Sequence, residues 1–312
     1  MASNGRRPKG TNVTGLNGEL QPFLKWAGGK RWLIDKLAPL FSQSFGNYIE
    51  PFLGGGAALL ALSPRRAMVG DINPELINCY RVVKNSPDSI FAGLVEYQKR
   101  HSKEFYYKIR ADEPLGEFER ALRFIYLNRT CFNGIYRVNK HGKFNVPKGS
   151  KDKIIFEDDN FRAISNALKN TTLVCSDFEE LVDAACCGDL VFVDPPYTTK
   201  HNKNGFVRYN EKLFSWADQE RLAESVERAA ERGATVIVTN ADHESVRSLY
   251  EELSALYFRV GRHSIIGGPS STRSKVTEAV FVLGQCEGSL KTKIQSRLRN
   301  EPPMPSSDQL RP

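Results

Sequence analysis

The chain lacks the marks of a membrane, secreted or metal-stapled protein. No run of roughly 18 apolar residues occurs, so no membrane-spanning helix is expected. The opening Met1-Ala2-Ser3-Asn4-Gly5-Arg6-Arg7 has no apolar stretch of the secretory kind, which points to the cytosol. Its six cysteines include no Cys-x-x-Cys pair, and its five histidines show no zinc-ligand spacing. Reduced thiols and no metal are therefore expected. The adjacent Cys186-Cys187 pair suits small buried or helix-end residues better than an ordinary disulfide. Glycines at 54–56 form neither the Gly-x-Gly-x-x-Gly of a dinucleotide fold nor the Gly-x-x-x-x-Gly-Lys-Ser/Thr of a triphosphate loop. No Pro-Cys pair is present, which argues against cytosine C5 methylation through a cysteine nucleophile.

What is present is a 312-residue chain with 40% hydrophobic residues and a net charge of +8. That length accommodates two domains, or one domain with a large insertion. The charge is concentrated: nine Lys/Arg and a single acid, Asp152, lie between Arg120 and Lys153. A solvated surface is the plain explanation of such a run. Here the cations interleave with Phe132, Tyr136 and Phe144 and with Asn128, Asn133, Asn139 and Asn145, a mixture suited to phosphates, base edges and stacking. This favours a nucleic-acid face.

Short apolar runs at 47–50, 67–70, 172–175, 190–193 and 235–238 read as buried strands, separated in several places by amphipathic helices such as 219–231. The pattern predicts an α/β fold with a largely parallel sheet. Strands at 255–260 and 276–283 would fit an antiparallel edge. Between Val82 and Phe156 the alternation gives way to two helical segments, 89–101 and 117–129, and a turn-rich basic stretch. The expected layout is a polar tail at 1–20, a discontinuous catalytic domain at 21–81 and 157–285, an inserted, mainly helical recognition domain at 82–156, and a basic, Pro-rich tail at 286–312.

Two segments carry chemistry. Glu50-Pro51-Phe52-Leu53-Gly54-Gly55-Gly56 follows the first strand, and Gly70-Asp71 ends the second. A glycine turn beside a carboxylate that can accept both ribose hydroxyls suits a nucleoside-bearing cofactor at a sheet's carboxyl edge. The Phe52-x-Gly54-x-Gly56 form is similar to the loop of S-adenosylmethionine-dependent methyltransferases. Farther along, a strand runs into Asp194-Pro195-Pro196-Tyr197. The prolines stiffen the turn and remove two donors, so the Asp194 carboxylate and Pro195 carbonyl become acceptors for a planar aromatic amine beside the Tyr197 ring. Adenine and cytosine amines both satisfy that description. A base inside a duplex would have to be flipped out to reach the corner. The loop from Thr198 to Tyr209, with Lys200, Lys203 and Arg208, is a candidate clamp on the flipped strand.

Taken with Phe23-Leu24-Lys25-Trp26-Ala27-Gly28-Gly29-Lys30, Asp71-Ile72-Asn73, Tyr126-Leu127-Asn128-Arg129, Phe132-Asn133-Gly134-Ile135-Tyr136-Arg137 and Phe144-Asn145-Val146-Pro147, these motifs resemble the Dam-type DNA adenine methyltransferases, in family order over most of residues 22–283. The resemblance implies a Rossmann-like methyltransferase fold acting on the N6 amine of adenine in GATC, with S-adenosylmethionine as cofactor, duplex DNA as partner and a monomer when free. It implies that Trp26, Lys30, Asp71 and Asp194 line the cofactor site, with Phe52, Gly54 and Gly56 as its loop. Asp194, Pro195, Pro196 and Tyr197 are then the catalytic corner. Lys25, Phe132, Asn133, Ile135 and Arg137 would approach DNA, Arg137 reading a guanine edge, and Arg129, Lys148 and Lys151 of the basic stretch are counted with them. Lys151 stands where some family members carry arginine, which keeps a phosphate charge and loses the planar fork.

Overall fold

The computed structural model describes residues 20–26, 28–41, 44–199, 214–263, 275–284 and 292. The expected tails, apart from Leu20 and Thr292, and the clamp loop beyond Thr199 lie outside the described residues. Two compact units are formed, one from Met1–Ile34 and Phe45–Ala184, the other from Asp35–Ser44 and Ala185–Pro312. In chain order the described elements open with α1 (Arg31–Lys36), α2 (Ala38–Phe41), β1 (Tyr48–Glu50), α3 (Ala57–Leu62) and β2 (Ala67–Asp71). Four longer helices follow: α4 (Pro74–Asn85), α5 (Pro87–Arg100), α6 (Lys103–Ala111) and α7 (Glu117–Thr130). The rest are α8 (Phe161–Ala167), β3 (Thr171–Cys175), α9 (Phe178–Asp183), β4 (Leu190–Val193), α10 (Trp216–Glu231), β5 (Thr235–Ala241), α11 (Glu244–Glu251), β6 (Leu256–His263) and β7 (Lys275–Leu283).

In the first unit the strands lie in the order β3-β2-β1, all parallel, with Ile49 opposite Met68 and Val69 opposite Leu173. Every residue of β1 is buried, as expected of a strand covered on both faces. The chain turns sharply after β2 because Asn73 caps α4, accepting from the Glu75 and Leu76 amides, while Pro74 presets the first helical turn. Residues 82–156 pack within this same unit, with α7 against α4, α5 and α6. After α7 the chain makes a 3-10 turn at Phe132–Gly134 and an irregular hairpin closed by bridges at Cys131–Lys148 and Val138–Phe144.

In the second unit β4 and β5 are parallel, with Val191 opposite Val236. β7 runs antiparallel between β5 and β6, in the order β4-β5-β7-β6. The antiparallel pair that the sequence placed at an edge is found there, with β6 outermost and β7 between it and β5. The near-continuous apolar run from Ala279 to Leu283 explains the inner place of β7, because all five residues are buried. α10 begins with a capping box in which Ser215 and Asp218 satisfy each other's backbone donors. The α/β, Rossmann-like class read from the sequence thus holds, with seven strands among the described residues. No described helix is long and apolar enough to cross a membrane, and no described cluster of His, Cys, Asp or Glu could hold a metal.

Candidate active site

In the first unit, a candidate cofactor loop is built on the carboxyl ends of β1 and β2. Gly54 and Gly56 have φ of 48° and 65°, a left-handed backbone that glycine adopts without a Cβ penalty. The glycines also make room. A Cβ on Gly54 would lie 2.8 Å from Trp26 Cδ1, and one on Gly55 2.8 Å from Trp26 Cβ. One on Gly56 would lie 2.5 Å from the Tyr80 hydroxyl. The loop is therefore moulded onto Trp26 and Tyr80 from beneath.

Asp71 holds the loop in place. Its Oδ2 accepts the Gly54 amide at 3.1 Å and its Oδ1 the Asn73 amide at 3.0 Å. Burial raises its pKa, while the Asn73 and Gly54 amides oppose the shift. Next to it Ile72 is an apolar side chain 73% exposed at a strand end. Phe52 stacks on Phe178 at 5.4 Å. Lys30 is buried and its Nζ donates to the Gly28 carbonyl at 2.9 Å, which ties the upstream glycine pair to the start of α1.

The Tyr80 hydroxyl is buried without a hydrogen-bond partner among the described residues, directly under Gly56. An orphaned donor there, a ribose-compatible carboxylate and an uncovered apolar side chain are what a nucleoside-bearing cofactor with a polar amino-acid end would use, so the residues present fit S-adenosylmethionine. Tyr80 and Ile72 were missed in the sequence. Ile72 left a trace, being the only apolar residue of the Asp71-Ile72-Asn73-Pro74 turn. Tyr80 left none, because a tyrosine on the inner face of α4 looks like ordinary core.

In the second unit, a separate candidate cluster is the corner after β4. Asp194 Oδ1 accepts the Thr239 hydroxyl at 2.7 Å, which fixes the carboxylate against β5. The Pro196 carbonyl accepts from Gln219 Nε2 at 3.4 Å, and Gln219 in turn accepts from Asn240 Nδ2 at 3.0 Å. Pro195 carries a carbonyl with no partner among the described residues. The Tyr197 hydroxyl donates to Glu278 Oε2 at 3.0 Å, and burial, with the Asp194 and Glu278 charges nearby, raises its pKa strongly. Glu278 is itself buried. Thr239, Gln219 and Glu278 were not singled out in the sequence, although Glu278 is the one acid of β7 and directly precedes its apolar run Ala279–Leu283.

A third cluster, on the first unit, is the hairpin after α7. Phe132, Ile135 and Val138 are 52%, 41% and 38% exposed, an uncommon concentration of apolar surface. Asn133, Arg137 and Lys151 are exposed among them. Arg137 Nε donates to Asn145 Oδ1 at 2.8 Å, which holds the guanidinium while both Nη groups have no partner among the described residues. Tyr136 points the other way, stacking on Trp26 at 6.1 Å and packing on Phe124 at 5.1 Å.

Arg129 does not belong to this surface. It is fully buried, donating five hydrogen bonds to the Phe23 and Ile154 carbonyls and, as a bidentate pair, to Asp159. Its plane covers the Phe156 ring at 4.5 Å. The sequence counted it with the DNA contacts because its partner, 30 residues downstream, could not be inferred. Arg120 and Arg123 are also engaged, with Glu75 and with the Ile109 and Arg110 carbonyls. Lys25 is only half-exposed: its Nζ donates to the Arg129 carbonyl at 3.0 Å, and burial, with Lys151 and Arg129 adding repulsion, lowers its pKa. Lys148 is paired to Asp152 at 2.5 Å. The basic face is thus narrower than the charge count implied and centres on the hairpin.

Comparison with known proteins agrees with this arrangement. Residues 26–263 match the D12 class N6 adenine-specific DNA methyltransferase family. The type II methyltransferase M1.LlaDCHI of Lactococcus lactis subsp. cremoris is 36% identical over 270 residues, covering 84% of this chain and 94% of its own. Type II methyltransferase M.MjaIII of Methanocaldococcus jannaschii is 38% identical, over 72% of this chain and 85% of its own. The DNA adenine methylase of Haemophilus influenzae is 32% identical, over 85% and 94%. With its glycine loop, closing aspartate and proline corner in place, the chain belongs to the D12 class of N6 adenine-specific DNA methyltransferases and uses S-adenosylmethionine.

Proposed function

We propose that the protein methylates N6 of adenine within GATC in duplex DNA, by flipping the adenine out of the helix and transferring the methyl group in one direct displacement. The observation that carries this reading is the pair of acceptors at the proline corner, a fixed Asp194 carboxylate and an unpartnered Pro195 carbonyl. An aromatic amine is a poor nucleophile because its lone pair is delocalised into the ring. Two hydrogen bonds from its protons, to Asp194 and to Pro195, favour the pyramidal nitrogen whose lone pair is free to attack. Orientation and electrostatic placement then supply the catalysis, with no covalent enzyme intermediate. When bound, the cofactor supplies an electrophilic methyl group on a sulfonium.

Asp71, Ile72, Trp26, Lys30 and the Phe52-Leu53-Gly54-Gly55-Gly56 loop would hold the cofactor, Asp71 through its ribose hydroxyls. Tyr197, its hydroxyl tethered by Glu278, presents a ring for the extruded base; stacking of this kind contributes about 1–3 kcal/mol toward an extrusion cost of a few kcal/mol. Residues 82–156 act as the recognition segment, with Arg137 donating to a guanine edge, Phe132 and Ile135 filling space at the flanking bases, and Asn133, Lys151 and Lys148 placing the backbone. Transfer to one strand at a time needs no dimer.

The test is single-base sequencing of plasmid DNA treated with the purified protein and S-adenosylmethionine, alongside 2-aminopurine fluorescence in a GATC duplex. N6-methyladenine confined to GATC and a rise in fluorescence on binding are expected. Methyl groups at cytosine N4 or at another site would overturn the assignment, and unchanged fluorescence would overturn extrusion.

A further inference from the structure

At the amino-terminal edge of β2 and β3 the first unit carries a cavity of about 830 Å³. Asp71 closes the carboxyl end of β2 four residues beyond Ala67, about 13 Å along a strand, so this cavity is separate from the cofactor loop. Arg65, Arg66, Lys84 and Lys169 line it, and none of its lining residues is acidic. Elsewhere on the surface such cations find carboxylates: Lys99, Lys143, Lys153 and Arg162 are all paired. Here Arg65, Arg66 and Lys169 have no ion pair among the described residues, while Lys84 is fixed by donating to the Thr171 carbonyl at 2.8 Å.

A second observation is independent of charge. Thr171, also in the lining, is 3% exposed, and its hydroxyl is buried with no hydrogen-bond partner among the described residues. A buried hydroxyl without a partner is costly and calls for an oxygen-bearing ligand or water. Four like charges around one cavity likewise repel each other until an anion enters. Arginine forks and a hydroxyl beside a held ammonium match tetrahedral phosphate oxygens.

We propose that this cavity is a phosphate-binding site remote from the catalytic edge, taking a chain of phosphate groups. The phosphates come either from a DNA backbone lying across this face or from a free polyphosphate such as a nucleotide's.

The experiment uses the full chain with inorganic tripolyphosphate as probe, measured by calorimetry at low salt. Saturable binding is expected, weakened at least tenfold in the Arg65→Gln/Arg66→Gln variant and a few-fold in Thr171→Val, with S-adenosylmethionine affinity and melting temperature unchanged. Both arginines are exposed, so the double variant keeps its fold. Affinity for a duplex without GATC, measured across salt concentrations, separates the sources. A salt slope about two units shallower in the double variant identifies the DNA backbone, because each lost phosphate contact removes roughly 0.9. An unchanged slope with lost tripolyphosphate binding identifies a free polyphosphate. Absence of saturable binding by the unmodified protein, or equal binding by the double variant, would overturn the site.

Discussion

Replacing Arg129 with methionine should destabilise the first unit without touching DNA recognition. The substitution removes five hydrogen bonds, leaves the Phe23 and Ile154 carbonyls short of a donor, and strands Asp159, whose side chain is only 5% exposed, as an unpaired buried charge. Breaking one side of such a pair costs about 3–5 kcal/mol, a large share of the roughly 5–15 kcal/mol that a domain has. At about 2–4 °C per kcal/mol for a unit of this size, the melting temperature should fall by about 6–20 °C. Scanning calorimetry reads that change. Adding Asp159→Leu should recover part of it, since the buried charge then disappears with its partner. Below the transition, the variant's DNA affinity should keep its salt slope, whereas loss of a phosphate contact would flatten it by about 0.9. A variant that melts normally while its slope flattens would refute the structural role and return Arg129 to the DNA surface.

Asp194→Asn should abolish turnover while leaving cofactor affinity within about threefold, and Thr239→Val should lower kcat by roughly tenfold with KM for DNA little changed, because one lost orienting hydrogen bond is worth about 1–1.5 kcal/mol; single-turnover assays read both. Gly54→Ala should displace Trp26 and weaken S-adenosylmethionine binding more than tenfold in calorimetry, and wild-type affinity would show that the loop and indole do not need each other. Arg137→Ala should relax selectivity at one guanine by about 1–3 kcal/mol, read by competition between duplexes altered at that position; unchanged selectivity removes it from the readout. The buried Asp71 has a folded pKa above its unfolded one, so its contribution to stability is greatest at low pH and is lost as pH rises through the folded value. On the proposed role of Asp71 as an ionised acceptor for the cofactor, cofactor binding should run the opposite way and weaken on acidification from above the ordinary aspartate range, a dependence that Asp71→Asn should flatten in a binding titration.

Much of the fold was legible because buried parallel strands are written as uninterrupted apolar runs, as at 67–70 and 190–193. Helix starts were legible where a cap sits beside proline, as at Asn73-Pro74. Motifs at strand ends located Asp71 and Asp194 for the same reason, since Asp71 is the last residue of β2 and Asp194 directly follows β4. Partners distant in sequence were not legible. Nothing around Arg129 announces Asp159, and nothing around Tyr197 announces Glu278, 81 residues away. The interior place of β7 was likewise hidden, because an apolar run reports burial without reporting which neighbours flank it. The glycines were read as openings toward a ligand. Their close contacts show them also yielding space to protein side chains, which a sequence cannot distinguish.

The indole of Trp26 sits in two environments at once, seated against Gly54 and Gly55 on one side and stacked with Tyr136 of the hairpin at 6.1 Å on another. Anyone grafting a foreign hairpin here to redirect sequence preference would also be replacing half of the bearing on which the glycine loop, proposed to hold the methyl donor, rests. Grafts that preserve an aromatic at position 136 should stay active with a new target, while those that drop it should lose grip on the methyl donor before any change in target could be measured.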